Sequence, residues 1–441
     1  MKEANVIALH KAGDRNIPNN YRPVSLTPII AKIMESIMHD KLTSHIENND
    51  LINSCQHGFR KNYSTTSNMI YFWNDITSYA NNHHEISIIY TDLRKAFDSV
   101  PHDLLIYKLR RLGIQHNNIK WFSSFLENRQ QSVRINDSIS NHIHIQSGVP
   151  QGGVLSGTLF NLYIGDMVDD LRYLKASMYA DDTKLYGPLL DQQTKQHIQT
   201  DIDSVVNWCK RWRLSLNVNK CFFLHYRPAH SNQEYPTYFM DDCELQRKES
   251  ARDLGVTVCQ NLKLHDQVSK ACKDATRQIN IIRRTFVSRD PKFLASMYKM
   301  HVRPRLEYCI QMWNPVYAGD IERMEKVQNR YTRLVINGQS MTPAQRNHRL
   351  GITSHRTRRL RGDLIQMYKM ISDTSLFPRS SITRTRGHSQ KLEVPVARNN
   401  IRKHSFTVRN VNVWNSLPAE IVNAETINVF KSKIDLYLAQ N

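Results

Sequence analysis

The chain has 441 residues, 60 of them Lys or Arg against 40 Asp or Glu, for a net charge of +20 and a pI near 9.6. Hydrophobic residues make up 40% and aromatics 9%, enough to fill several cores and too many for a disordered chain; at about 150 residues per domain, roughly three structural units are expected. No apolar stretch reaches the roughly 18 residues of a membrane-spanning helix, and the N-terminal MKEANVIALHK carries no secretion-signal pattern.

In chain order, the first strong helical signal covers residues 21–41. Pro23 and Pro28 punctuate its start, and Ile29, Ile30, Ile33, Ile37 and Met38 follow at helical spacing. Ile86, Ile88, Ile89 and Tyr90 form a β-branched run that reads as a buried strand ending at Thr91-Asp92. A helix is predicted from about Pro101, capped by Ser99 and closed by Gly113, with Leu105, Leu109 and Leu112 on one face. Residues 147–167 hold Gly148, Gly152, Gly153 and Gly157, followed by an apolar run able to become a helix. Residues 177–179 and 183–186 read as the arms of a hairpin around Asp181-Asp182. Ile198, Ile202, Val205, Cys209 and Trp212 mark a helix over residues 195–213, and Leu214, Leu216 and Val218 alternate as a strand ending at Lys220. Beyond about residue 260 the pattern is mostly helical, and residues 376–392 read as an exposed linker or loop. Helices interleaved with strands indicate an α+β or α/β body.

The seven cysteines are widely spaced with no C-x-x-C pair, which excludes a disulfide scaffold or zinc ribbon and suits reduced thiols of an intracellular protein. Charge is uneven: residues 331–410 hold 16 Lys or Arg against 3 acids, a surplus of 13. Most of it is Arg, the cation that pairs with phosphate, so this region is expected to bind nucleic acid; a solvated basic surface is the plain alternative.

Two acidic positions carry candidate chemistry. Asp92 ends the apolar strand in YTDLRKAFD, and Asp181-Asp182 sits at the hairpin turn in SMYADDTKLYG. Adjacent carboxylates repel one another, and such oxygen-rich sites suit Mg²⁺ or Mn²⁺. A pair of aspartates at a turn is otherwise an ordinary surface turn. The glycines of residues 147–157 permit close backbone approach to a phosphate or a base pair, but no G-K-[ST] follows to make a Walker loop.

In this order and spacing the segments resemble the reverse transcriptases of non-LTR (LINE-type, jockey-like) retrotransposons. KAGD at Lys11 and NYRPVSL around Arg22 are similar to the fingers, and QHGFRKNYSTT from Gln56 to the next block. DLRKAFD, the glycine-rich segment, YADD, LNVNK and DLGV are similar to the palm motifs and the primer-grip turn. The resemblance implies an α+β right-hand polymerase, with fingers and a palm with an antiparallel sheet over residues 1–260, a helical thumb over 261–340 and a basic C-terminal region over 341–441. It also implies RNA-directed DNA polymerase activity on an RNA template, with a DNA primer or target, deoxynucleotides and two Mg²⁺ or Mn²⁺ ions.

Residue by residue, the resemblance makes Asp92, Asp181 and Asp182 the metal-binding carboxylates, with the Leu93 carbonyl as a further ligand. Phe97 falls at an aromatic gate under the sugar, with a plain core Phe as the alternative. Gln151 and Gly152 would pack on the incoming nucleotide, and Lys11 and Arg22 would reach its triphosphate. Lys220 would donate a proton to pyrophosphate. Leu254, Gly255 and Val256 would form the primer grip, and Arg358, Arg359, Arg361, Arg384 and Arg386 are candidate phosphate contacts. The sequence departs from the family at Leu93-Arg94, Gly153, Leu155-Ser156-Gly157 and Asp253. An endonuclease is expected to be absent from this chain, which reads as N-terminally truncated. A catalytically weak or inactive nucleic-acid-binding relic is the second reading. An RNA-directed RNA polymerase is a third, opposed by Phe97 and by YADD in place of Gly-Asp-Asp.

Overall fold

Backbone pairing decides what the N-terminal prolines allow. Tyr21–Leu26 is a strand, paired antiparallel with Glu3–His10, so the helix predicted from residue 21 begins only after Pro28, at Ile29–Asn48. A proline lacks the N–H a helix interior needs, but an edge strand tolerates it. Glu3–His10 pairs in parallel with Arg129–Ile135, which also takes up Ser138–Ile139 and Ile143–Ile145, completing a five-stranded sheet.

The computed structural model describes residues 2–229, 231, 234–336, 340–381 and 388–440. The chain divides into two units. One comprises residues 1–68, 87–223 and 233–247; the other comprises residues 69–86, 224–232 and 248–441. Residues 261–340 and 341–441, predicted as thumb and C-terminal region, fall together in the second.

A second five-stranded sheet has the order Gln246–Arg247, Phe222–Tyr226, Glu85–Thr91, Asp182–Leu189, Lys175–Tyr179. Its last two strands are the predicted antiparallel hairpin, while its first edge pair runs parallel. The core of the first unit contains Leu105 and Leu109 of the helix His102–Arg111, and Ile119 and Phe122 of His116–Leu126. Ile198, Ile202 and Val205 of Gln192–Arg211 join it. Ser156–Ile164 is buried along its whole length, so its apolar run has no polar face to show. The mix of helices and sheets is α+β.

Further sequence expectations change. The helix His102–Arg111 has Pro101 rather than Ser99 at its cap, and the Ser99 hydroxyl donates to the Arg94 and Lys95 carbonyls. Ile29, Ile30, Ile33 and Ile37 share a helix face, but that face is 55–77% exposed, and the helix buries Glu35, Leu42 and Ile46 instead. Periodicity locates a stripe without saying whether anything covers it. Residues 214–218 are not a strand: only Leu216 pairs, as an isolated bridge to Leu93, before a 3₁₀ turn at Val218–Lys220. Residues 376–381 and 388–392, the described part of the predicted linker over 376–392, are irregular but not exposed throughout, because Leu376, Phe377, His388 and Leu392 are buried. Residues 382–387 lie outside the described residues.

The second unit is largely helical. Pro291–Met297 continues through a π-helical turn at Tyr298–Val302 into Arg303–Glu307, and long helices run over His265–Thr285, Ala318–Ile336 and His355–Met370. Leu364, Met367, Phe377, Trp414 and Phe430 form a core there.

Candidate active site

The strand Glu85–Thr91 is buried at six of seven positions and delivers Asp92 at its end. The backbone there is tied on both sides. The Asp92 N–H donates to Cys221 Sγ (3.3 Å), the Asp92 carbonyl accepts from the Asn217 N–H (2.7 Å), and the Arg94 N–H donates to the Ser215 carbonyl (2.8 Å). These bonds carry Lys220 to the Asp92 carboxylate, with Nζ and Oδ2 3.8 Å apart and both side chains well exposed. They leave the carbonyl of buried Leu93 without a hydrogen-bond partner among the described residues.

Asp181 is the second of two residues linking the paired positions Tyr179 and Asp182, and the first, Ala180, has φ +56°. Burial pushes the Asp181 carboxyl above its ordinary range, and the charge on Asp92 adds to the rise. A backbone hydrogen bond, Arg22 and Lys11 act in the opposite direction. Two strand ends and the N-terminal hairpin therefore bring two carboxylates and two cations within electrostatic reach. Asp182 is exposed at the start of its strand, where successive side chains take opposite faces. Among the described residues no three acidic, His or Cys side chains form a ready metal cage. Asp92 and Asp181 share one electrostatic environment, and Asp182 follows Asp181 directly at the exposed start of its strand.

The glycine-rich loop is clamped by main chain. The Gly148 N–H donates to the Val100 carbonyl and the Val149 N–H to the Phe97 carbonyl, each at 2.8 Å. Gly148 has φ +93°, and a Cβ there would lie 2.7 Å from Asp98 Cα, so no larger residue fits. Gln151 and Gly152 lie against the N-terminal hairpin, where the Gln151 carbonyl accepts from the Ser25 N–H (2.8 Å). Phe97 is half-buried, stacked on Phe160 at 4.3 Å and edge-on to Phe59 at 6.0 Å. One of its faces is core, and the ring is held in a fixed pose.

Sequence reading missed two buried polar residues. Glu35 accepts hydrogen bonds from the N–H groups of Val154 (2.7 Å) and Leu155 (3.3 Å). An anion there suits the start of the Ser156–Ile164 helix, and a lone acid among apolar neighbours was the available signal. Gln56 is wholly buried against the Asp181 turn. Its segment was legible as a block, but nothing in the spacing assigned it a partner.

The family of reverse transcriptases (RNA-dependent DNA polymerases) matches residues 9–258, more than half of the sequence. The chain belongs to the reverse transcriptase family. It is 26% identical over 353 residues to a probable RNA-directed DNA polymerase from transposon BS of Drosophila melanogaster, covering 76% of this chain and 38% of that protein. It is 25% identical over 347 residues to the RNA-directed DNA polymerase from mobile element jockey of the same fly, covering 76% and 37%. The chain therefore spans under two fifths of the length of these relatives. A solved telomerase from Candida albicans overlaps it with a TM-score of 0.48 at 13% identity, over 84% of this chain and 60% of that one.

The predicted primer-grip residues of this chain belong to the second unit. Leu254 (φ +43°) and Gly255 (φ +87°) are the two turn residues between Ser250–Asp253 and Val256–Cys259, as a two-residue hairpin favours. The Tyr308 hydroxyl donates to the Leu254 carbonyl at 2.8 Å, and Val256 is fully buried, so its side chain supports the turn rather than facing a ligand.

Two of the predicted phosphate contacts, Arg358 and Arg359, need correction. Arg358 is buried, pairs with Glu307 (2.5 Å) and donates to Gln328 (2.8 Å). Arg359 is buried too and donates to Asn314 (2.8 Å), while Arg361 is paired with Asp435. These side chains hold the second unit together, because a run of Arg on a helix that packs on several sides must turn some inward. Arg384 and Arg386 lie outside the described residues.

Proposed function

We propose that this chain is the polymerising part of an RNA-directed DNA polymerase, adding deoxynucleotides to a primer 3′-hydroxyl on an RNA template. The observation that carries the reading is the convergence of Asp92 and Asp181 with Lys220, Lys11 and Arg22 around them. The relatives' printed names, RNA-directed DNA polymerases of mobile elements, support the same chemistry.

The donor set fits a hard divalent cation: two like-charged carboxylates, one pushed toward its protonated form by burial, and the unpartnered Leu93 carbonyl. Asp92, Asp181 and Leu93 would hold Mg²⁺ or Mn²⁺, with Asp182 available to a second ion. Bound ions would supply charge neutralisation at the attacking and leaving oxygens. The protein's own groups do the rest. Lys11 and Arg22 orient the triphosphate, Phe97 lies under the sugar, and Gln151-Gly152 presents main chain to the nucleotide. Lys220, held beside Asp92, gives a proton to the departing pyrophosphate. Positioning and electrostatics would provide most of the rate.

Primer extension on poly(rA)/oligo(dT) with Mg²⁺ or Mn²⁺ tests the reading. Wild type extends the primer, and Asp181→Asn keeps primer–template affinity but loses extension to below a few per cent. Full extension by the Asn variant would remove Asp181 from the chemistry.

A further inference from the structure

The turn that carries Asp181 is strained, and one buried side chain compensates for it. Ala180 has φ +56°, the first central position of a two-residue hairpin, where glycine is the favoured residue. It is 6% exposed, so water does not satisfy its peptide groups. The Gln56 carboxamide does. Gln56 Oε1 accepts from the Ala180 N–H (2.9 Å) and from the Gly58 N–H (2.7 Å), while Nε2 donates to the Ala180 carbonyl (3.3 Å). Both peptide groups of the strained residue are thus held by one amide, and Gln56 itself is 0% exposed.

The surrounding chain leaves that amide no other pose. Gln56 forms a parallel bridge with Met178, the His57 N–H donates to the Met178 carbonyl (2.9 Å), and the Met178 N–H donates to the Cys55 carbonyl (2.9 Å). The Asn68 amide also donates to the Met178 carbonyl, at 3.0 Å. Gly58 lies so close that a Cβ would sit 2.4 Å from the Ala180 nitrogen. Cys55–Gly58 is in effect an added strand segment along the hairpin arm that ends in Asp181.

We infer that Gln56 is a positioning residue that locks Ala180 in its left-handed conformation and so aims the Asp181 carboxylate at Asp92. The inference rests on the reading of Asp181 as a working carboxylate of the polymerase. A satisfied, preorganised support of this kind fixes a carboxylate against the repulsion of its neighbour. Gln56 touches neither substrate nor cation. Its loss acts through the turn, and a residue that holds the left-handed conformation unaided relieves that loss.

The test compares wild type, Gln56→Met, Ala180→Gly and the double variant. Mn²⁺ binding is read from the electron paramagnetic resonance of the free ion, and primer extension and the thermal midpoint are measured alongside. Gln56→Met, of equal length without the amide, should raise the Mn²⁺ concentration for half-saturation at least tenfold and slow extension by a similar factor. Adding Ala180→Gly should recover at least threefold of each loss, because glycine adopts the turn without the clamp. A plain packing role predicts no such rescue. Half-saturation within twofold of wild type, or no rescue by glycine, overturns the assignment. So does a wild-type chain that binds no Mn²⁺. If wild type binds Mn²⁺ but extends no primer, the polymerase reading fails and the Mn²⁺ comparison alone decides the clamp. Should Gln56→Met not fold, Gln56→Asn, too short to reach Ala180 and Gly58 together, enters the same comparison with the same criteria.

Discussion

Asp181 holds its carboxylate where burial and the neighbouring Asp92 both resist ionisation. Its pKa in the folded chain lies above that in the unfolded chain, about 3.9, so the folded state binds the proton more readily. The stability linked to that proton is present in acid and is lost as pH rises through the folded pKa. Asp181→Asn cannot ionise, so it should raise the thermal midpoint of the chain in EDTA at pH 7, by less as the pH falls toward about 4. An equal or lower midpoint at pH 7 would contradict the electrostatic account. Phe97 makes a separate prediction. Its ring is fixed by the stack on Phe160, so Phe97→Ala opens space where the sugar would lie. The preference for deoxy- over ribonucleotides should fall at least tenfold, about 1.4 kcal/mol of discrimination. An unchanged ratio in single-nucleotide incorporation would leave Phe97 as core alone.

At the level of elements, the glycine-rich loop connects the N-terminal hairpin, the Phe97 turn and the buried Ser156–Ile164 helix. Its Gly148 combines φ +93° with backbone contact at 2.7 Å, so Gly148→Ala must displace the loop. The strain is about 1–3 kcal/mol. Extension should drop at least tenfold, mainly through a raised KM for the nucleotide, whereas binding of primer–template changes little. A normal KM would show that the loop does not set the nucleotide's place. Much of this element was legible beforehand. The glycines marked a close approach, and the apolar run marked a helix. What they approach was not legible, because Asp98, Ser25 and Glu35 are distant in sequence and their contacts arise from packing. The Ile29–Asn48 helix shows the converse. Its apolar period was correct, yet the buried face holds Glu35, since a carboxylate needed at another helix's start outweighed an isoleucine stripe.

Across the whole molecule, a net charge of +20 favours association with a polyanion, and affinity for RNA should fall steeply with salt. Which cations matter depends on burial. In residues 331–410, Arg349 and Arg356 are exposed, while Arg358 is buried against Glu307. Arg349→Gln with Arg356→Gln should flatten the log K against log salt slope by roughly 0.7–0.9 per lost phosphate contact, equally on two unrelated RNAs. Arg358→Gln should leave the slope alone and lower stability by about 1–3 kcal/mol, because one Glu307 oxygen and the Gln328 amide lose a buried charged donor while Arg303 still holds the other Glu307 oxygen. A salt series paired with denaturant unfolding separates the two, and a slope change in the Arg358 variant would return that residue to the nucleic-acid surface.

Taken alone, the sequence determined the family, the order of its motifs, the α+β class, and the two acidic positions that end buried strands. Those features are local or ordered along the chain, so spacing, apolar runs and turn residues record them. Only the tertiary structure decided which charged groups surround Asp181, and that Gln56 and Glu35 hold the turn and the loop. It also decided that Arg358 and Arg359 face inward. Each of these depends on which distant segment packs against a given face. That is set by the burial of apolar surface and the pairing of every enclosed polar group, neither of which is written in the periodicity of a single stretch.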